Sequence, residues 1–143
     1  MGFNDKKAAR PLLGSAIVWL SRGFGFAYIW VGVQHFTNTA WFESIVPGLL
    51  GPPAVWVYLT GIIEIALGVG LLHPAIRPKA ALASAAFLSA VYWANLNMWI
   101  NDIPLDGRTY SNGWHFVRLI AQVAMLSLSL FIWKAGRRSQ EVL

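Results

Sequence analysis

Residues 55–72, VWVYLTGIIEIALGVGLL, form an apolar run with one carboxylate, Glu64, near its middle. A charge at the centre of such a run is hard to accommodate in a water-soluble core. In a bilayer an ionisable group at mid-depth is costly, so it normally faces other helices and has a partner. What keeps Glu64 company is therefore the question the rest of the chain must answer.

Composition places that run in a membrane context. Of the 143 residues 57% are hydrophobic and only 12% are charged, where soluble domains carry about a quarter charged residues. The length predicts a single domain, residues 1–143. There is no cysteine, which rules out a disulfide, a thiolate nucleophile, an iron–sulfur cluster and a Cys-type zinc site built from this chain.

Four apolar spans of about 20 residues are expected, each long enough for a hydrocarbon core of ~30 Å. They cover residues 12–35, 53–72, 80–100 and 114–133. The first follows a basic start, MGFNDKKAAR. It is about twice as long as the apolar region of a signal peptide and no cleavage-like site follows, so it reads as an uncleaved first helix. Between the first two spans, Trp41, Phe42, Ile45, Val46, Leu49 and Leu50 recur at helical spacing, predicting a short interfacial helix or a loop on the membrane surface. Pro47 must bend it, and Gly51, Pro52 and Pro53 end it. HPAIRPK (residues 73–79) is a firm break, and NDIPLDGRTYSNG (residues 101–113) is a polar loop with turn chemistry at Asp106–Gly107 and Asn112–Gly113. The fold class is thus all-α: an integral membrane four-helix bundle with a short interfacial helix between helices one and two.

Charge placement sets an orientation. Lys6, Lys7, Arg10, Arg77, Lys79, Lys134, Arg137 and Arg138 flank one side, whereas the other two loops hold only Arg108 against Glu43, Asp102 and Asp106. By the positive-inside rule both termini are expected on the cytoplasmic side. The basic residues at membrane edges also explain the high pI without nucleic acid. Trp30, Trp41, Trp56, Trp93, Trp99 and Trp114 gather toward the opposite side. An interfacial belt is the default reading of such residues, and a one-sided excess also suits an aromatic-lined outer cavity.

Several polar side chains lie within the spans. Gly61 and Gly68 share a face with Glu64 and permit close approach of another backbone. Ala81, Ala85 and Ser89 repeat that small-residue spacing on the third span. His115, Arg118, Gln122, Met125 and Ser129 form one stripe of the fourth span. Asn95 and Asn97 close the third, and Arg22 and His35 lie on the first. Counted from the outer helix ends at ~1.5 Å per residue, Glu64 is ~16 Å deep, Arg22 ~20 Å and Arg118 ~7 Å. Depth therefore selects Arg22 as the partner of Glu64 in a buried ion pair that locks the bundle. His35, Asn95, Asn97, His115, Arg118 and Gln122 become the ligand-binding candidates. No metal is expected: His73 falls on the opposite side from His35 and His115, and no recognised ligand spacing is present. Nor is there a phosphate loop, a nucleotide fingerprint or a catalytic Ser-His-Asp signature.

GVQHF, SIVPGLLGPP, GIIEIALGVGLLHPAIRPKAA, ANLNMWINDIPLDG and HFVRLIAQ occur in that order over about residues 12–135. In this ordered set the chain resembles the DoxX and DoxX-like family of small four-helix bacterial membrane proteins. The resemblance implies association with quinone-linked redox systems, and it maps Arg22, His35, Glu64, Asn95, His115 and Arg118 onto family positions without a catalytic assignment. The function expected is an accessory or anchor subunit of a quinone-linked redox complex, with a pocket for quinone or another lipid-like molecule. A stand-alone small-molecule-binding membrane protein, enzyme or transporter and a membrane-protein assembly factor are the alternatives. The bilayer and a redox-complex subunit are the expected partners, nucleic acid is not, and the oligomeric state is left open.

Overall fold

The computed structural model describes residues 3–105 and 107–140, with side chains for 14–105 and 107–137. The chain forms α1 (Phe3–Thr37), α2 (Thr39–Glu43), a single 3-10 turn (Gly48–Leu50), α3 (Pro53–Leu72), α4 (Arg77–Ile100) and α5 (Asn112–Gln140). No strand occurs among the described residues. Asp106 and the side chains of Lys6, Lys7, Arg10 and Arg138 lie outside those described.

Helix α3 spans 53–72 as the sequence predicts. Pro53 at its first turn costs no hydrogen bond, because that N–H has no helical acceptor. At its other end Arg77 donates from Nε to the Leu71 carbonyl at 2.9 Å and from Nη2 to that of Leu72 at 3.3 Å, which satisfies carbonyls the helix leaves open. Helix α1 starts well before residue 12 and runs through Pro11. Helix α4 starts three residues earlier than expected, with Pro78 in its first turn, and α5 outruns 114–133 at both ends. The expected interfacial helix is split into α2 and the 3-10 turn, with Ser44–Pro47 between them. Gly51, at φ 82°, turns the chain into α3.

Three helical stretches are long and apolar enough to cross a membrane: Gly14–Thr37, Pro53–Leu72 and Asn112–Arg137. Helix α4 is not among them. It has the length, but Asn95, Asn97 and an Arg-Pro-Lys start dilute its apolar character.

Glycines at seven-residue spacing set the main packing contact. A Cβ on Gly25 would sit 2.8 Å from the Gly68 carbonyl oxygen, and one on Gly32 would sit 2.8 Å from that of Gly61. Only the absence of side chains lets α1 and α3 run antiparallel at this distance. Helix α5 is antiparallel to α4 in turn: Gly136 faces Pro78, Gln122 bonds to the Leu88 carbonyl, and His115 stacks on Trp99. Helix α1 packs chiefly on α3 and α5 chiefly on α4, with slighter contact between α3 and α4. The ends carrying Arg77, Lys79, Lys134 and Arg137 thus lie together (the basic end), and residues 38–52 and 101–111 lie at the other (the aromatic end).

The buried core is displaced toward the basic end. Phe24, Tyr28, Leu71, Ala80, Ala81, Leu88 and Ile132 form one cluster there, and Phe24 meets Tyr28 edge to face at 5.0 Å. The short turn after α3 and the Gly136–Pro78 contact hold the helices close at this end. Of the small residues predicted to pack, Ala81 and Ala85 are buried and Ser89 is exposed.

Candidate functional site

At the aromatic end the helices line a cavity of about 730 Å³ that is open on one side. Val57, Thr60, Ile63 and Glu64 of α3 form one wall, and Phe87, Val91, Ala94 and Asn95 of α4 face them. Val31 and His35 of α1 and Arg118 of α5 complete the sides, while residues 41–50 form a cap. Ligand pockets commonly measure ~300–1,000 Å³ and carry a few polar groups on an apolar lining; this cavity has that character.

The cap is tied down by side chains from two helices. Asn97 donates from Nδ2 to the Ile45 carbonyl at 3.2 Å, and Trp56 donates from Nε1 to that of Leu50 at 2.7 Å. Phe42 stacks on the His35 ring with centroids 3.8 Å apart. Trp41, Trp56 and Trp93 line the cavity, so part of the one-sided aromatic excess builds a pocket wall and not only a belt.

The partner of Glu64 is His35. Nδ1 of His35 lies 3.2 Å from Oε2 of Glu64 and 2.9 Å from the Val31 carbonyl oxygen. A carbonyl only accepts, so in the tautomer protonated at Nδ1 this nitrogen donates to Val31. Oε2 is consequently buried without a hydrogen bond among the described residues, although it is within ion-pair distance. Gly61 makes the approach possible: a Cβ there would lie 2.7 Å from the His35 Cβ.

The expected Arg22–Glu64 pair does not form. Arg22 is exposed, with its guanidinium over the Trp19 ring at 5.3 Å from the centroid. The glycine register explains this. With Gly25 against Gly68, the residue level with Arg22 is about Leu71, three back on α1 and three on along α3. That leaves Arg22 seven residues, or ~10 Å, beyond Glu64. Counting depth from each helix's own end missed the offset, because α1 ends short of the level at which α3 begins.

The six ligand-binding candidates divide evenly. His35, Asn95 and Arg118 line the cavity. Asn97 holds the cap, and Gln122 donates from Nε2 to the Leu88 carbonyl at 2.6 Å, joining α4 to α5. His115 is buried, its ring parallel to that of Trp99 at 5.4 Å. These three engage the protein's own groups. Arg118 is half-buried against the Met98 sulfur, with no carboxylate among the described residues within salt-bridge distance. Thr60 and Phe42 were missed as lining residues. Thr60 lies one turn before Glu64 on the same face, which is a readable signal; nothing in the sequence separates Phe42 from the other aromatics near it. Among the described residues no three His, Cys, Asp or Glu side chains converge as a metal site.

No curated protein and no solved structure matches the chain. A family model described as a domain of unknown function, DUF8561, matches residues 24–133, a stretch that contains α3, α4, the cap and every polar group of the cavity. The chain belongs to the DUF8561 family.

Proposed function

We propose that this protein is a four-helix integral protein of a bacterial inner membrane, with both termini cytoplasmic, whose cavity binds a lipophilic molecule with a hydrogen-bonding head. Three helices long and apolar enough to cross a membrane support the membrane reading, and the gathering of basic residues at one end supports the orientation. A cavity of about 730 Å³, largely apolar and lined by Glu64, Asn95 and Arg118, carries the binding reading. Arg118 and the Asn95 amide can donate to carbonyl oxygens, and Glu64 can accept from a hydroxyl. A quinone–quinol pair presents both kinds of group on a small ring with an apolar tail. Together with the resemblance to DoxX-like proteins, this supports an accessory or anchor subunit of a quinone-linked redox complex. In this reading the cavity binds and positions the molecule.

Trp41, Trp56 and Trp93 in the lining give a direct test. Titrating a short-tailed benzoquinone into the detergent-solubilised protein should quench their fluorescence saturably. Ala94→Phe, which projects a ring into the cavity from its α4 wall, should abolish the saturable part, and Arg118→Gln should weaken it about tenfold, the scale of one charge-assisted hydrogen bond. Linear, non-saturating quenching, or saturation unchanged in Ala94→Phe, would remove the binding reading. Recovery of a stoichiometric partner in mild detergent tests the subunit role separately.

A further inference from the structure

A second concavity lies at the basic end, on the outer surface of the α4–α5 pair, with a volume of about 470 Å³. Its floor is made by Leu82, Ala83 and Ala86 of α4, and Trp133 of α5 forms a wall. Lys79 and Arg137 lie in its lining where α4 begins and α5 approaches its end. Arg137 also rests over the Trp133 ring, its guanidinium carbon 5.6 Å from the centroid.

Sequence and packing explain the groove. Gly136 lets α5 close onto Pro78, where a Cβ would come within 2.5 Å of Pro78 Cγ. Just beyond that clasp, the small side chains of Ala83 and Ala86 leave the surface hollow between the two helices. From Lys79 to Ala86 the hollow extends ~10 Å along α4. It is apolar along its length and cationic at one end, and it opens outward rather than into the cavity that holds Glu64.

We infer that this groove binds an anionic phospholipid of the leaflet on the basic side, with the phosphate at Lys79 and Arg137 and the upper part of an acyl chain over Ala83 and Ala86. The inference rests on the membrane placement proposed above and is independent of what fills the main cavity. Charge complementarity selects the occupant. Two cations at the mouth of an apolar channel match a molecule with a negative head and hydrocarbon tail, and basic residues at this depth attract anionic lipid. The Trp133 ring, apolar with one N–H donor, suits the boundary between head and tail. A zwitterionic lipid offers the same tail and no net charge, so the cations would discriminate between the two.

The test is native mass spectrometry of the full chain in a neutral detergent. Dioleoyl-phosphatidylglycerol is titrated against dioleoyl-phosphatidylcholine, which has the same chains. We expect the first phosphatidylglycerol to bind at least ~10-fold more tightly than phosphatidylcholine. The double variant Lys79→Gln/Arg137→Gln should reduce it to the phosphatidylcholine level. Arg22→Gln, which removes an exposed cation on α1, should leave the preference intact, while Ala86→Phe should block the first site for both lipids. Equal binding of the two lipids, or equal loss in Arg22→Gln, would overturn the site. A dimer mass abolished by Ala86→Phe would assign the groove to a second copy of the chain instead. A chain that purifies as a soluble monomer without detergent would defeat the membrane reading, and this inference with it. Lipid preference absent from a detergent-requiring protein defeats the groove alone.

Discussion

The two ends of the molecule solve the same packing problem in opposite ways. At the basic end, glycine and alanine let backbones meet, and Leu71, Ala81 and Ile132 are fully buried between helices. At the aromatic end the same helices leave about 730 Å³ unfilled and close it with a tethered segment instead of a helix. Helix α3 belongs to both. Gly68, Gly70 and Leu71 are buried in one, whereas Thr60, Ile63 and Glu64 line the other. The difference shows where the chain packs closely and where it gives close packing up, and the second is where the proposed ligand would sit.

The comparison can be broken most severely at the glycine contact. In Gly68→Leu the new side chain begins 2.6 Å from the Gly25 carbonyl oxygen, which is backbone and cannot swing aside. Overpacking of this kind costs about 3 kcal/mol, so the variant should lose its cooperative melting transition. A variant that melts like the parent would refute the α1–α3 register.

Next in size is His35→Ala, which leaves Glu64 without its partner and removes the ring under Phe42. Loss of one member of a buried pair costs about 3 kcal/mol, to be read as a fall in Tm. Arg22→Gln should change Tm little, within ~0.5 kcal/mol, as for an exposed side chain. Reversal of these two results would restore Arg22 as the partner of Glu64.

Asn97→Ala removes one cap tether and should cost about 1 kcal/mol. Its more informative effect is local: backbone amides of residues 38–52 should exchange hydrogen faster while those of α1 near Gly25 do not. Uniform acceleration across both would mean that the cap and the packed end open together, contrary to the comparison.

Much of this architecture was legible in the sequence. Pro53 and the His73–Pro74 turn bound α3, and Gly61 and Gly68 on its Glu64 face announced a close contact. That Glu64 needs a partner was also legible. Which partner was not, because depth counted along single helices carries no information about how one helix slides past another. The glycines held that information, but only as pairs: Gly25 with Gly68 and Gly32 with Gly61. Polarity misled in the same way at Asn97, His115 and Gln122. A polar side chain in an apolar span signals that something must engage it; backbone carbonyls accept from Asn97 and Gln122, and the His115 ring stacks on Trp99. The one-sided aromatic excess pointed toward a cavity, but its place and shape had no sequence signature, since they arise from a gap between helices whose individual patterns are ordinary.

The central claim is that the packed end holds the fold together and the hollow end holds a lipophilic ligand. Ala94→Phe tests it most directly when melting temperature and co-purified lipophile are measured on the same sample. The ring of Ala94→Phe should displace the bound lipophile while leaving the ligand-free protein at least as stable as the parent. A Tm loss as large as that of Gly68→Leu, with the lipophile still bound, would contradict it.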